Sequence, residues 1–573
     1  MNERGSVGAE AVGPDRTEDG GSGGSSGRDR TPPGSGLARR EFLRVAGSAL
    51  AMGSVVTAVP GGSGLAAAER AGARPHENSG RPGPGRPSTG GGGGLRPEAL
   101  GNAEPPALHF CAEPGGPGAL FERLRRERGE RGFDSLEIPI PPWEGPRPGS
   151  DEEIAYLPVA RLAAMIRDRV IGPVELTRIY LERLERYDPT FLVAVTIIGD
   201  TALDEARRLE AELDAGLWRG PLHGIPWGVK DLFAVRGTPT TWGAEEFADR
   251  VIDEDAAVVE RLREAGAVLV AKLATGQFAR GDEWFRGKTR NPWNPEEGSS
   301  GSSAGPAAAT VAGLVGFAIG TETLGSIVSP ARRCGVTAMR PTFGRVSRHG
   351  GMVLSWSMDK VGPFCRTVEG CAMVFEAMHG ADPRDPSSLT TPFRYQPPAD
   401  LSGYRIGATA DAPSEALRSL EALGAEVVSM PELPGRDRSS LNVESAAAFD
   451  FHVLATAQDG SEPDAWEDRF QAGRSVLALD HVQSLRHRLV AMQELAEVME
   501  EMDAFVSPSG ELGLTNETGH PAVVVPYTCS EGEAPQPECL TLVGRPFEDD
   551  RLLGIAHAFQ ESGDWHLRRP DLP

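Results

Sequence analysis

The segment EIAYLPVARLAAMIRDRVIGPVELTRIYLERLERYDP repeats apolar residues at helical spacing, and the Gly172-Pro173 pair divides it into two predicted helices. Further on, AAVVERLREAGAVLVAKL changes period partway, from a helical pattern to a continuous apolar run, which predicts a helix followed by a buried strand. Ile225 to Val229 is a short apolar run with Pro226 near its start, a second predicted buried strand. Ala307 to Ile319 is almost wholly Ala, Val, Leu, Gly, Phe and Ile, which suits a buried helix leading into another strand. Alternation of helix and strand predicts a layered α/β core.

That pattern starts near Asp151 and runs on for about 420 residues without an internal linker, so the reading is one large α/β unit over 151–573. Ahead of it, residues 1 to 37 are Gly, Ser and charge without periodicity, and residues 72 to 106 are Gly, Pro and Arg; neither pattern predicts a packed core. From Leu108 to Pro148 some apolar character returns, in LHFC and ALFERLRRERGERGF. The segment 69–150 therefore reads as a linker and an extension of unassigned role. Within 1–68, Arg39 and Arg40 precede Phe42 and Leu43 and a modest apolar stretch from Val45 to Val59, the look of a twin-arginine export leader too short and too weakly apolar to span a bilayer. Cleavage after Ala58 or Ala68 fits it. The plain alternative is an arginine pair before a short helix. The leader implies an exported protein, periplasmic or extracellular, that meets the export machinery transiently.

The chain carries 58 Lys plus Arg against 82 Asp plus Glu, a formal charge of −24. Its first 70 residues are balanced, so the body holds the whole excess. Such a surface repels phosphates and excludes nucleic acid as a partner. Six cysteines show no metal spacing; Cys529 and Cys539 bracket a Gly/Pro/Glu loop, with free thiols the default and a bridge the alternative. Phosphate loops, dinucleotide fingerprints and repeats are missing too, so no cofactor and no metal is expected.

Chemistry concentrates between Gly298 and Ser326, where GSSGSSAGPAAATVAGLVGFAIGTETLGS places a serine-glycine turn on either side of the apolar helix. Glycines let backbone N–H groups crowd a developing oxyanion while a hydroxyl supplies a nucleophile. A base is then required. His223 and His349 sit in loop-like contexts without an evident acidic orienter. The chain has only four lysines, Lys230, Lys272, Lys288 and Lys360, against 54 arginines, and lysine, unlike arginine, can lose its proton when desolvated. Lys230 ends the apolar run GIPWGVKD. Moving its pKa from about 10.4 to about 7 takes roughly 4 to 5 kcal/mol, within what burial supplies. A neutral Lys230 would accept a serine proton.

GIPWGVKD, the serine loop, GTETLGS, RPTFGRVSRHGG, MDKVGPFCRTVEGC and the C-terminal TGHPAVVVP together resemble the amidase signature family of serine hydrolases, over about Leu157 to His566. The resemblance implies a central mixed β-sheet surrounded by helices. It also implies a Ser, cis-Ser, Lys triad. Among Ser299, Ser300, Ser302 and Ser303, the family pattern puts Ser302 at the bridging cis position and Ser303 at the supporting one, with Ser326 the nucleophile and Lys230 the base. Thr323, Leu324 and Gly325 then supply oxyanion-hole N–H groups. This chain departs from the pattern at Glu322, where Asp is common, and at Val328, which replaces an Arg; Arg332 or Arg333 is the candidate partner for Glu322.

The implied activity is hydrolysis of a small carboxamide. Its competitors are an amidotransferase-like subunit feeding ammonia to a partner and a catalytically silent binding relative, and a homodimer is an open assembly state. Asp385 to Pro398, Asn442 to Ala472 and Asn516 to His520 are candidate pocket walls, with Trp356 and Phe451 as candidate apolar lining or simple core filling.

Overall fold

Runs that are apolar at every position, without a polar alternate, need cover on both faces of a sheet. The computed structural model describes Asn102 and residues 109–134, 136–435, 439–452, 465–530 and 536–573. Its strands are β1 (Ala194–Ile197), β2 (Pro226–Lys230), β3 (Val268–Leu273), β4 (Glu283–Trp284), β5 (Gly287–Lys288), β6 (Arg290–Asn291), β7 (Asn294–Gly298), β8 (Phe317–Glu322), β9 (Thr337–Arg340), β10 (Lys360–Cys365), β11 (Arg405–Ala408), β12 (Glu426–Ser429), β13 (Ala504–Val506), β14 (Ala522–Cys529) and β15 (Pro537–Gly544). Eleven of them form one mixed sheet in the order β1-β3-β2-β8-β10-β9-β14-β15-β13-β11-β12, while β4 pairs with β5 and β6 with β7. The central strands β2 and β8 run parallel, and β10, β9, β14 and β15 continue antiparallel.

Period-two alternation sorts the side chains. Trp227, Val229, Phe317, Ile319, Val523 and Val525 enter one core, and Ala318, Ala338, Val524 and Val543 the other. Helices cover both. The predicted pair is Val159–Arg167 and Pro173–Phe191, with Pro173 as the first residue of the second helix. The helix Ala257–Glu264 leads into β3, and the fully buried helix Ala304–Val311 leads into β8. The fold is thus the mixed sheet wrapped by helices that the resemblance implies.

The described part of the N-terminal extension docks on this body. Its helix Gly116–Arg128 packs Leu120 and Leu124 against Phe343 and Phe547, and Arg128 Nη2 donates to Asp550 Oδ1 at 2.8 Å. The leader with Arg39 and Arg40, and the Gly/Pro-rich stretch to residue 100, lie outside the described residues. All six cysteines are free thiols, Cys529 and Cys539 included.

Candidate active site

β2 ends at Lys230 and its parallel neighbour β8 ends at Glu322, so both strands open at one edge of the sheet, where the two serine turns sit. The first turn feeds the helix Ala304–Val311. Its Gly301–Ser302 peptide is cis, and a Cβ on Gly301 would strike the Gly281 carbonyl, so the loop can lie flat there only with glycine. The second turn follows β8; Gly325 has φ +93°, a left-handed conformation that lets the chain reverse immediately before Ser326.

Lys230 is fully buried. Its Nζ lies 2.8 Å from Ser302 Oγ, 3.2 Å from Ser303 Oγ and 2.9 Å from Thr321 Oγ1. Among the described residues no carboxylate forms an ion pair with it. Burial drives the Lys230 pKa well below the ordinary amine range, although the charges of Asp359 and Glu322 oppose the shift. Ser303 Oγ donates to the Thr321 carbonyl at 3.0 Å and accepts from the Thr321 N–H at 3.2 Å, tying the first serine turn to β8. Ser326 is half-buried, and its carbonyl accepts from Ser303 N–H at 3.2 Å, a backbone bond that joins the two turns. The sequence-predicted residues Lys230, Ser302, Ser303 and Ser326 are therefore gathered at one place, with Thr323, Leu324 and Gly325 in the turn beside them.

Glu322 is the anchor of that turn. Its carboxylate accepts from Ile327 N–H at 2.7 Å, Val328 N–H at 2.9 Å, Asn516 Nδ2 at 2.8 Å and Arg340 Nη1 at 2.7 Å. Burial works against its charge, but the Arg340 guanidinium and these N–H groups hold its pKa down at about 2. The expected partners Arg332 and Arg333 are not the ones used: Arg333 reaches out to Glu297 at 2.6 Å, and the guanidinium beside Glu322 comes from β9 instead. β9 and β8 flank β10, so Arg340 and Glu322 meet across the sheet, while Arg333 is exposed on its own helix and Arg332 makes no ion pair with Glu322.

Sequence reasoning missed two further groups. Thr321 stands on β8 one residue before Glu322 and faces the lysine; the alternation of a strand ending in GTETLGS carried that signal. Asp359 accepts from Thr323 Oγ1 at 2.6 Å and, through its other oxygen, from Leu354 and Ser355 N–H at 2.8 and 3.0 Å. Nothing local in the sequence marks that contact.

Next to Thr321 and Thr323 opens a cavity of about 270 Å³ lined by Leu232, Phe233, Trp242, Met352, Leu354 and Trp356, with Glu254, Arg348, His349 and Arg384 also in its wall. Trp356 is thus a lining residue, whereas Phe451 packs in the aromatic cluster of Phe449 and Trp466. Of the predicted wall segments, Asp385 and Pro386 line this cavity. His349 faces Glu254 at 3.7 Å, and His223 bonds the Leu209 carbonyl at 3.0 Å. Lys272 is buried against Asp231 at 2.7 Å, Lys288 pairs with Glu283 at 2.9 Å, and Lys360, also buried, donates to the Met358 carbonyl. Among the described residues no group of three metal-ligating side chains occurs.

Sheet and site together define the class, an amidase signature fold. The family model described as Amidase matches residues 175–522, and the chain belongs to that family. A glutamyl-tRNA(Gln) amidotransferase subunit of Moorella thermoacetica is 32% identical over 487 residues, covering 73% of this chain and 99% of that protein. The corresponding protein of Methylococcus capsulatus is 33% identical, covering 72% and 98%. Among solved structures, an amidase family protein from Bacillus anthracis superposes with TM-score 0.67 at 26% identity, covering 73% of this chain and 93% of that one. The peptide amidase from Stenotrophomonas maltophilia gives TM-score 0.63 at 29% identity, covering 72% and 98%.

Proposed function

We propose that the chain hydrolyses a small carboxamide through an acyl-serine, with Lys230 as base, Ser302 as relay and Ser326 as nucleophile. The observation that carries this reading is the buried Lys230 amine held among three hydroxyls. Ser303 spends its own proton on the Thr321 carbonyl, so it accepts from the lysine. A neutral amine then donates to Ser303 and Thr321 and keeps its lone pair for the Ser302 proton. As Ser326 Oγ bonds to the substrate carbonyl carbon, its proton passes to Ser302 and the Ser302 proton to Lys230. N–H groups of the 323–326 turn receive the oxyanion, a contribution worth about 3 to 4 kcal/mol per donor. Collapse breaks the C–N bond while the lysine returns a proton through Ser302 to the leaving nitrogen, and water repeats the sequence on the ester.

Ammonia or amine release from a panel of aliphatic, aryl and peptide-terminal amides tests this on the full chain. Ser326→Ala should lose turnover by a factor of about 10³ or more while remaining folded; release that survives the substitution would refute the assignment.

A second reading, an ammonia-donating amidotransferase subunit, is favoured by the curated relatives. Under it the same groups would cleave glutamine for an acceptor held with a partner. The net charge of −24 speaks against a tRNA-bound acceptor. Turnover confined to glutamine and raised by charged tRNA with partner subunits would favour this second reading; turnover of simple amides by the chain alone favours the first. The proposal also includes export by the Arg39-Arg40 leader.

A further inference from the structure

The family match begins at residue 175, yet the wall of the substrate cavity includes Asn102, more than seventy residues earlier. Asn102 is 6% exposed. Its Nδ2 donates to the Val353 carbonyl at 3.0 Å and to the Ala448 carbonyl at 3.1 Å, and its Oδ1 accepts from Val353 N–H at 2.9 Å. One side chain thus saturates the backbone of Val353, a cavity-lining residue, and pins it to the end of the helix Ser439–Ala448.

A second, independent contact grips the other end of the same loop. Phe110 lies 3.7 Å under the Arg488 guanidinium, and that guanidinium donates to the Ser357 carbonyl at 2.7 Å and to its hydroxyl. Between the two grips, Leu354 and Ser355 N–H groups bond Asp359, whose other oxygen holds Thr323 of the nucleophile turn. The loop 353–357 is therefore fastened on one side to the catalytic turn and on the other to residues that precede the family domain.

We propose that Asn102 forms a wall of the substrate cavity and, with Phe110 fastening the loop 353–357 from behind through Arg488, limits the length of the apolar group it accepts. The walls Leu232, Phe233, Trp242, Met352 and Leu354 select an apolar substituent, and Asn102 closes the space available to it. The inference rests on the serine-hydrolase reading of the site.

The test uses n-alkyl fluorophosphonates of increasing chain length on the full chain, with labelling of Ser326 followed by mass spectrometry. In the wild type the rate should drop beyond a limiting length. In Asn102→Ala the long-to-short rate ratio should rise by about fourfold for each added methylene that finds room, and Phe110→Ala should shift it the same way. A ratio is read on the folded fraction alone, so partial unfolding of a variant does not mask it. Unchanged ratios in both variants overturn the wall assignment while leaving the hydrolase reading intact. Failure of every probe to label wild-type Ser326 overturns the hydrolase reading and this inference with it.

Discussion

In the proposed mechanism the role of Lys230 as base and its cost to folding come from the same burial. Its folded pKa is lowered while its unfolded value stays near about 10.4, so across that interval the unfolded chain binds one more proton and stability rises with pH, levelling off above about pH 10.4. Lys230→Met removes this dependence. The variant should be more stable than wild type at pH 7, and the two should converge as pH approaches 10, as read by denaturant midpoints; a variant less stable at pH 7 would contradict neutral burial. Lys230 itself was legible because GIPWGVKD leaves its amine nowhere polar to go. Asp359 was not, since nothing local in the sequence marks its contact with Thr323, and Thr321 is marked only by the alternation along β8.

At the scale of the element, the turn after β8 is held by the Glu322 carboxylate, which bonds the Ile327 and Val328 N–H groups and meets Arg340, and by Asp359, which accepts from Thr323. Removing the guanidinium in Arg340→Met leaves Glu322 buried and unpaired, which should cost about 3 to 5 kcal/mol and, under the proposed mechanism, lower kcat more than it raises KM, because the disturbed turn carries Ser326. Glu322 also sets an acid limit. Its pKa of about 2, against about 4.3 unfolded, contributes stability on the order of 3 kcal/mol that is fully present above pH 4.3 and lost as pH falls towards 2. Denaturation between pH 5 and 2 should show that slope in wild type and lose it in Glu322→Gln. The helices and strands around this turn were readable from apolar period, as Ala304–Val311 and β8 show. The Glu322 partner was not, because Arg332 and Arg333 are nearer in sequence and only the strand order brings β9 close.

For the whole molecule, apolar pattern carried the layered α/β class, while the family resemblance carried the central mixed sheet and the candidate site residues. What both left open was the reach of the N-terminal segment: composition marks residues 69–150 as linker and extension, yet Leu120, Leu124, Phe110 and Asn102 attach to the body through side chains spread too thinly to form a periodic pattern. The leader makes a prediction of its own. Replacing both Arg39 and Arg40 by Lys should leave the protein in the cytoplasmic fraction of an expressing bacterium, and undiminished export would remove the leader assignment.

The central claim is that an uncharged Lys230 arms Ser326 through Ser302, and the pH dependence of Ser326 phosphonylation by a short fluorophosphonate tests it most directly. The account predicts a rate that climbs through a single ionisation well below pH 10.4 and falls by a factor of about 10² to 10⁴ in folded Lys230→Met. A wild-type rate that climbs only near pH 10, or a Lys230→Met variant that labels as fast as wild type, would contradict it.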